Sequence, residues 1–215
     1  MIDALTRSSF ANELNKAADI IGITLSSSQN DALIQYLELL IKWNKAYNLT
    51  AIRKPEDMLI KHLIDSLSIA PYIKGKNILD VGTGPGLPGI PMAILFPEIK
   101  FLLLDSNGKK TRFLMQSKIT LGLENVEIFH GRVEDADNTQ KFDQILSRAF
   151  TALDNMLSWC KHLLSNDGQF LAMKGLLPKE EIQSIPESFR VQESIQLKVP
   201  GCEDQRHLII IGRSN

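Results

Sequence analysis

The 215-residue chain has only two cysteines, Cys160 and Cys202, and no Cys-x-x-Cys pair. So few thiols, so far apart, argue against a disulfide framework and against a zinc site built on paired cysteines. We therefore expect each cysteine to be a plain apolar residue in a reducing compartment.

Long apolar runs and an excess of one charge are also absent. No stretch approaches the ~20 apolar residues that span a bilayer, and the first residues lack the basic start and apolar core of a secretory signal. The 24 lysines and arginines and 25 aspartates and glutamates give a formal net charge of −1, so no global field favours a polyanion. The expectation is a cytoplasmic protein, monomeric by default and without membrane contact, in which a local basic patch would meet any polyanion.

Hydrophobic periodicity changes near residue 76. Before that point the pattern predicts helices at 9–22 and 62–71. A third helix is predicted after the serine cluster 26–28, and its buried face would carry Leu33, Leu37, Leu40, Asn44 and Tyr47. After residue 76, apolar runs alternate with amphipathic stretches, which predicts strands at 77–82, 101–105, 126–130, 142–147, 168–173, 190–199 and 207–212.

This order of elements predicts an α/β fold with a Rossmann-like, seven-stranded, mainly parallel sheet flanked by helices. Residues 1–76 would form an N-terminal helical extension packed on a core domain of residues 77–215. The last two runs are joined by Pro200-Gly201 and a charged loop that has no room for a helix. They should therefore form a C-terminal antiparallel hairpin at a sheet edge.

The most informative stretch is Ile78-Leu79-Asp80-Val81-Gly82-Thr83-Gly84-Pro85-Gly86, a strand that opens into a glycine-spaced turn. Glycines allow positive φ and a close approach of the backbone to a ligand. Residues 84–89 also satisfy the dinucleotide fingerprint G-x-G-x-x-G, with Asp105 about 20 residues further on. A pyrophosphate would be repelled by Asp80, whereas the ammonium and sulfonium of S-adenosylmethionine (SAM) would be attracted, so we favour SAM and keep NAD(P) as the alternative.

Asp105 would accept hydrogen bonds from ribose hydroxyls with either ligand. A purely structural interpretation is that Asp80 and Asp105 cap the helices that follow them. The acid, the alternating glycines and the second strand-terminal acid together favour ligand binding.

Seven strands that end in such a hairpin resemble the class I SAM-dependent methyltransferase fold. In that fold the fourth strand of enzymes that methylate exocyclic amines usually ends in Asn/Asp-Pro-Pro-aromatic, whereas the fourth predicted strand here ends in Leu146-Ser147-Arg148-Ala149-Phe150. Methylation of a pyrimidine carbon would need a thiolate, and neither cysteine lies at a turn or strand end. These two absences leave an acceptor atom that needs little activation, such as guanine N7. N7 loses no proton, so its in-line placement against the methyl group can supply most of the catalysis.

In its joint order of motifs the chain resembles the RsmG-type guanine-N7 methyltransferases of bacterial small-subunit ribosomal RNA, which have the class I SAM-dependent methyltransferase fold. The resemblance extends over nearly the whole chain, and the segments that carry it are 40–50, 62–67, 80–91, 104–110, 131–134, 147–149 and 174–175. The resemblance implies SAM as cofactor and methylation of the guanine usually numbered 527 in 16S rRNA, giving 7-methylguanosine.

The resemblance also implies a set of cofactor contacts. Asp105 would bind the ribose, and Val133 and Glu134 would lie beside the adenine; the family more often has alanine where Val133 stands. The complete predicted set is Asp80, Gly82, Thr83, Gly84, Gly86, Leu87, Asp105, Ser106, Val133, Glu134 and Arg148.

Arg148 is the candidate catalytic residue. It would touch guanine O6 or orient the methionine end of SAM, because N7 must stay free to attack. The alternative is a salt bridge to Glu134 or Asp105. Phe150 is a candidate for stacking on an unstacked target base.

Two basic clusters are candidates for RNA phosphates. Segment 42–61 has an excess of three positive charges, and the helix after Asp105 begins with further basic residues. The candidates are Lys42, Lys45, Arg53, Lys54, Lys61, Lys109 and Lys110. A solvated helix face is the alternative interpretation.

Two other residue pairs in the N-terminal region favour structural roles. Trp43 and Tyr47 are four residues apart on a helix, which favours core packing over base stacking. His62 and Asp65 have no third ligand nearby, so we expect them to hold the helix against the sheet and predict no metal. For the whole chain, a NAD(P)-dependent oxidoreductase and a non-catalytic rRNA-binding assembly factor remain as alternatives.

Overall fold

A seven-stranded mixed sheet forms the centre of the molecule in the computed structural model, which describes residues 2–137 and 139–214. The strands are β1 (Asn77–Val81), β2 (Lys100–Asp105), β3 (Val126–His130), β4 (Phe142–Arg148), β5 (Leu164–Lys174), β6 (Phe189–Gln196) and β7 (His207–Arg213). Their order in the sheet is β3-β2-β1-β4-β5-β7-β6. Strands β1 to β5 pair in parallel, and β7 pairs antiparallel with both β5 and β6. The predicted parallel sheet and the antiparallel hairpin at its edge are therefore confirmed.

Helices precede the sheet and connect its parallel strands. They are α1 (Ala4–Ile21), α2 (Ser27–Tyr47), α3 (Pro55–Met58), α4 (Asp65–Leu67), α5 (Gly89–Leu95), α6 (Gly108–Leu121), α7 (Leu153–Cys160) and α8 (Lys179–Gln183). Short 3₁₀ turns occupy Ala70–Tyr72 and Val133–Asp135. Because β1, β2 and β4 are parallel and adjacent, the connections that leave their carboxyl ends meet at one edge of the sheet.

The long helix α2 begins as its sequence indicates. Ser26 is the N-cap and forms a reciprocal capping box with Gln29, which satisfies two of the backbone N–H groups left over at the start of a helix. Its predicted buried face is right for Leu33 to Asn44 but wrong for Tyr47, whose exposed fraction is 45%. Tyr47 is the last residue of the helix, and Asn48, with φ +52°, then turns the chain in a new direction.

The predicted helix at 62–71 has the wrong bounds. Helical structure begins at Pro55, and a π-helical segment, Leu59–Ile64, separates α3 from α4. The wider turn of a π-helix shifts the side chains that follow it, and such segments are frequent at functional sites. Here the segment carries Lys61 and His62 and leads into Asp65.

The first 76 residues pack directly on the sheet. Side chains such as Leu37 of α2 and Leu63 belong to the same buried apolar cluster as Ile78 and Phe101. A second cluster on the other face contains Leu79, Phe170 and Cys160 of α7. The division at residue 76 thus marks a change of architecture within a shared core, and its status as a domain boundary stays a prediction.

Both cysteines are thiols, with Cys160 buried and Cys202 half-buried. Burial raises the pKa of the Cys160 thiol to about 12.

None of the helices in the described part of the chain combines the length and the apolar composition that a membrane span requires.

Candidate active site

Two cavities open where β1, β2 and β4 end. The larger has a volume of about 560 Å³ and extends from the glycine turn to Arg148 and β7. The smaller, about 360 Å³, lies between Asp105 and the segment 131–134. The two share Gly82, Lys110 and Ala149 in their walls and therefore adjoin at these residues.

Gly82 shows why the turn needs glycine. Its φ is +63°, and a Cβ there would lie 2.4 Å from Cδ2 of Phe150. Thr83, Gly84 and Leu87 line the larger cavity beside Gly82, and their contact with a cofactor stays a prediction. The turn is closed by a hydrogen bond from the Leu87 N–H to the Thr83 carbonyl (2.9 Å).

Gly86 has a packing role in the turn. Its φ is +97°, and a Cβ there would lie 2.5 Å from Cγ1 of Ile90 and 2.9 Å from Cδ2 of Leu114. It lines neither cavity among the described residues. The structure therefore places this predicted cofactor contact against α5 and α6.

Asp80 is completely buried beneath the turn. Its Oδ2 accepts hydrogen bonds from the Thr83 hydroxyl (2.6 Å) and the Gly89 N–H (2.8 Å). Burial raises the pKa of this carboxyl to about 6, although the two hydrogen bonds and Arg148 oppose the rise. Because Gly89 begins α5, Asp80 satisfies the start of that helix, as the structural interpretation proposed, and any attraction to a bound ammonium would act from below the turn.

The pH dependence of stability tests this burial. The pKa of Asp80 rises from 3.8 to about 6 on folding, so between those pH values the folded state holds a proton that the unfolded state has released, and the free energy of unfolding falls as pH rises. The shift corresponds to roughly 3 kcal/mol.

In thermal melts from pH 4 to pH 8 we expect Asp80→Asn to gain stability relative to the wild type as pH rises. The companion variant Thr83→Val keeps the carboxylate but loses a hydrogen bond that lowers its pKa, so its stability should go on falling to higher pH than that of the wild type. An Asp80→Asn difference that is constant with pH would contradict the expectation.

Asp105 at the end of β2 is held in place by the turn. Its Oδ2 accepts from the Gly84 N–H (2.9 Å) and its Oδ1 from the Asn107 N–H (2.8 Å). Lys110 places its Nζ 3.6 Å from the same Oδ2. Asp105, Ser106 and Lys110 all line the smaller cavity, a position that suits ribose recognition by Asp105 and puts Lys110 in the cleft instead of on an outer surface.

The opposite wall of the smaller cavity is formed after β3 and β4. Val133 and Glu134 line it at the start of a 3₁₀ turn, together with Phe150 and Trp159. The rings of Phe150 and Trp159 meet edge to face with centroids 5.9 Å apart. Phe150 thus lies on the side of Gly82 where the adenine is expected, so a stacking role on the target base has no support from its position.

Arg148 pairs with Asp65. Its Nη1 donates to Asp65 Oδ2 (2.9 Å) and to the Lys61 carbonyl (3.2 Å), so the alternative pairing with Glu134 or Asp105 is wrong. Asp65 Oδ1 accepts from Nε of Arg206 (2.8 Å). One buried carboxylate therefore orients two guanidinium groups in the wall of the larger cavity.

His62 lies beside this cluster as a neutral side chain. Its Nε2 is 2.8 Å from Oγ1 of Thr50, and its Nδ1 is 3.2 Å from the Lys61 carbonyl. Burial, with a smaller effect of Arg148, lowers the pKa of His62 to about 4. Asp65 ties the helical region to Arg148 at the end of β4, as predicted, whereas His62 bonds to Thr50 in the loop after α2 and to no strand residue among those described. In the described part of the chain, no three His, Cys, Asp or Glu side chains group as metal ligands.

Three positioning residues escaped the sequence analysis. Tyr36 of α2 is buried and donates from its hydroxyl to the Pro85 carbonyl in the glycine turn (2.8 Å). Arg206 pairs with Asp65, and His207 contacts the Gly175 carbonyl through Nδ1 (2.8 Å). Tyr36 belongs to the regular apolar pattern of α2, so nothing in the sequence marks it. Arg206 and His207 form a basic pair at the start of a strand, which was a signal that could have found them.

The remaining basic candidates are spread over the surface. Lys42, Lys45, Arg53, Lys54 and Lys109 are exposed, and Lys45 and Arg53 border a separate cavity of about 220 Å³. Lys61 lines the larger cavity. Lys174, also in that cavity, bonds to the Thr151 carbonyl and to Glu181.

Comparison with known proteins identifies close relatives. A family described as rRNA small subunit methyltransferase G matches residues 29–209. A protein of Ectopseudomonas mendocina (strain ymp) named "Ribosomal RNA small subunit methyltransferase G" is 55% identical over 206 residues, which are 95% of this chain and 96% of that protein. The protein of the same name from Stutzerimonas stutzeri (strain A1501) is 52% identical over 214 residues, 99% of this chain and 100% of that protein.

Solved structures share the fold at much lower identity. A glycopeptide N-methyltransferase, MtfA, complexed with S-adenosyl-L-homocysteine, superposes with a TM-score of 0.62 at 9% identity over 71% of this chain and 87% of that one. TrmN from Thermus thermophilus gives 0.56 at 17% identity over 69% and 47%. The sheet and its helices are thus those of class I methyltransferases.

Proposed function

The chain belongs to the rRNA small subunit methyltransferase G family, and from that premise we propose that it transfers a methyl group from SAM to N7 of one guanine, position 527, in 16S rRNA. The match covers 95% to 99% of the chain at 52% to 55% identity. Membership of this family supports neither an NAD(P)-dependent oxidoreductase nor a non-catalytic rRNA-binding assembly factor. The one Tyr-x-x-x-Lys spacing, Tyr72 with Lys76, precedes β1 and lies at the opposite end of that strand from the turn, which also disfavours an oxidoreductase.

The two joined cavities support SAM as the ligand. Asp105 and Ser106 suit the ribose, and Val133 and Glu134 suit the adenine, in the smaller cavity. Gly82 lines both cavities, and a Cβ there would meet the Phe150 ring in the smaller one. The proposed ligand would follow the passage at this junction, with its methionine end toward Arg148. When bound, SAM supplies a methyl group on a positively charged sulfur.

The described residues that line the larger cavity include no carboxylate that is free to act as a base and no thiol, and this observation most strongly favours guanine N7, an acceptor that loses no proton. Asp65 is the only carboxylate among the described residues that line it, and two arginines hold that carboxylate. His62 is a weak base because its pKa is about 4, and neither cysteine is among the lining residues. Guanine N7 attacks with an in-plane lone pair, so the side chains need only hold the base in line with the methyl group.

Arg148 is the residue we propose to position the reactants. Its Nη1 is held by Asp65 and Lys61, and the residue lines the larger cavity, so its other donors are available to a ligand there. A donor there can bind guanine O6 or the SAM carboxylate without covering N7. The proposed setting is the cytoplasm, where the protein acts as a monomer on 16S rRNA or on the small subunit.

Methyl transfer with mapping of the product tests the proposal. The purified protein is incubated with methyl-labelled SAM and small ribosomal subunits that lack the modification, and the label is mapped by borohydride–aniline cleavage, which breaks RNA at 7-methylguanosine. We expect label at a single guanine. Absence of label with SAM binding intact by calorimetry would overturn the acceptor, and absence of SAM binding would overturn the cofactor as well.

A further inference from the structure

Asp204, in the loop between β6 and β7, reaches the rim of the larger cavity. Its Oδ2 lies 3.1 Å from Nζ of Lys61 and 3.8 Å from Nη2 of Arg206. Lys61 and Arg206 both line the cavity. One carboxylate oxygen therefore sits between two cations at the entrance, an arrangement that a phosphate oxygen also adopts.

Arg206 does not depend on Asp204 for its position, whereas the ammonium of Lys61 is bonded to it (3.1 Å). Arg206 is fixed by Nε to Asp65 (2.8 Å) and by Nη1 to the Gln205 carbonyl (2.8 Å), which leaves Nη2 for the anion. The backbone of Lys61 is held by the π-helical segment and by Arg148, which donates to its carbonyl. If Asp204 moved away, Arg206 would therefore stay in place, and the Lys61 side chain would be free to bond to another anion beside it.

We propose that Lys61 and Arg206 form a binding site for one phosphate of the RNA backbone and that Asp204 occupies this site until the RNA displaces it. The inference rests on the proposed function, which brings an RNA to this entrance. It adds a defined position for one phosphate. It also adds Arg206, which lies outside the two basic clusters found in the sequence, and names Asp204 as an internal competitor.

Displacement of Asp204 costs little. Its side chain is 57% exposed and that of Lys61 41%, and exposed ion pairs contribute about 0 to 1 kcal/mol because water solvates both partners well. An RNA phosphate additionally gains from the release of condensed counterions. The pair Asp65 with Arg206 differs because the Asp65 side chain is only 3% exposed, so Asp65 stays as the fixed support.

The test compares two acidic neighbours in the same loop. Asp204→Asn removes the internal competitor, whereas Glu203→Gln removes an equal charge from an exposed residue next to it. Dissociation constants are measured with unmodified small ribosomal subunits in a salt series. We expect Asp204→Asn to bind about three- to fivefold more tightly, the size of an exposed ion pair, and Glu203→Gln to stay within twofold of the wild type. Equal effects of the two variants would overturn the site, since a general change of charge would then explain both.

A double-variant cycle separates this site from the rest of the basic surface. In a Lys61→Ala background the gain from Asp204→Asn should fall to that from Glu203→Gln, because half of the phosphate site is gone. A gain that persists in full would overturn the pairing. The methyl-transfer assay reports on the proposed function separately: label in the RNA with equal binding by both loop variants would reject the phosphate site alone, whereas specific tightening without label would uphold the site and reject the reaction.

Discussion

Arg148→Ala should abolish methyl transfer while the protein stays folded. Nη1 of Arg148 is fixed by Asp65 and by the Lys61 carbonyl, so the arginine presents its other donors to the cavity without reorganisation. Loss of such a preorganised donor lowers the rate by about 10² to 10³-fold. Asp65 keeps its bond to Arg206, so the variant does not leave a buried carboxylate without a partner. Single-turnover transfer to small subunits measures the loss, and a melting curve verifies the fold.

Two further substitutions sharpen the test of Arg148. Arg148→Lys retains a charge for Asp65 but loses the planar fork, so we expect it to remain far below the wild-type rate. Arg213→Ala is the control, because this arginine at the end of β7 bonds to the Lys161 and Leu164 carbonyls, away from both cavities. Turnover of Arg148→Ala at the wild-type rate with intact SAM binding would refute the role.

Gly82→Ala should weaken SAM binding by about ten- to a hundredfold. The left-handed backbone costs roughly 1 to 2 kcal/mol for a residue with a Cβ and lowers the stability of the protein, whereas overpacking at the wall of the cleft, about 1 to 3 kcal/mol, lowers the affinity for SAM. The Cβ would lie 2.4 Å from the Phe150 ring, and that ring packs edge to face on Trp159. The passage between the two cavities would therefore narrow or the turn would shift, and calorimetric titration with SAM measures the loss.

Gly122 provides the control for backbone strain. Its φ is +65°, and a Cβ there would meet no atom within 4 Å. It caps α6 at the end away from the site. Gly122→Ala should lose stability to the left-handed backbone and keep its SAM affinity, so equal SAM affinities in the two variants would mean that Gly82 does not shape the passage.

The sheet was predictable because each strand is a local apolar run between turn signals. Strand β3 has the predicted bounds, and β5 extends four residues further toward its amino end, from Leu164, because the register with β4 extends its pairing. The glycine turn and the two strand-terminal acids were predictable for the same reason: their spacing is local.

The cluster around Asp65 could not be predicted from local patterns. Its carboxylate joins Arg148 and Arg206, which are 83 and 141 residues away along the chain. The π-helical segment that aims Asp65 at them looks like an ordinary helix in the sequence. Phe150 was expected to face a target base, but Ala149, with φ +52°, turns it toward Gly82. Such pairings arise only when distant strand ends are brought to one edge of the sheet.

Tyr36 makes the N-terminal helices a partner in ligand binding. Its hydroxyl is bonded to the Pro85 carbonyl, and its ring packs near Phe113 of α6 (6.2 Å between centroids). A ligand that restrains the turn therefore also restrains α2, and a fluctuation of α2 that releases Pro85 loosens the turn. By reciprocity, a substitution that loosens the packing of α2 should therefore lower the affinity of the cleft for its ligand, although none of the described residues of α2 lines either cavity.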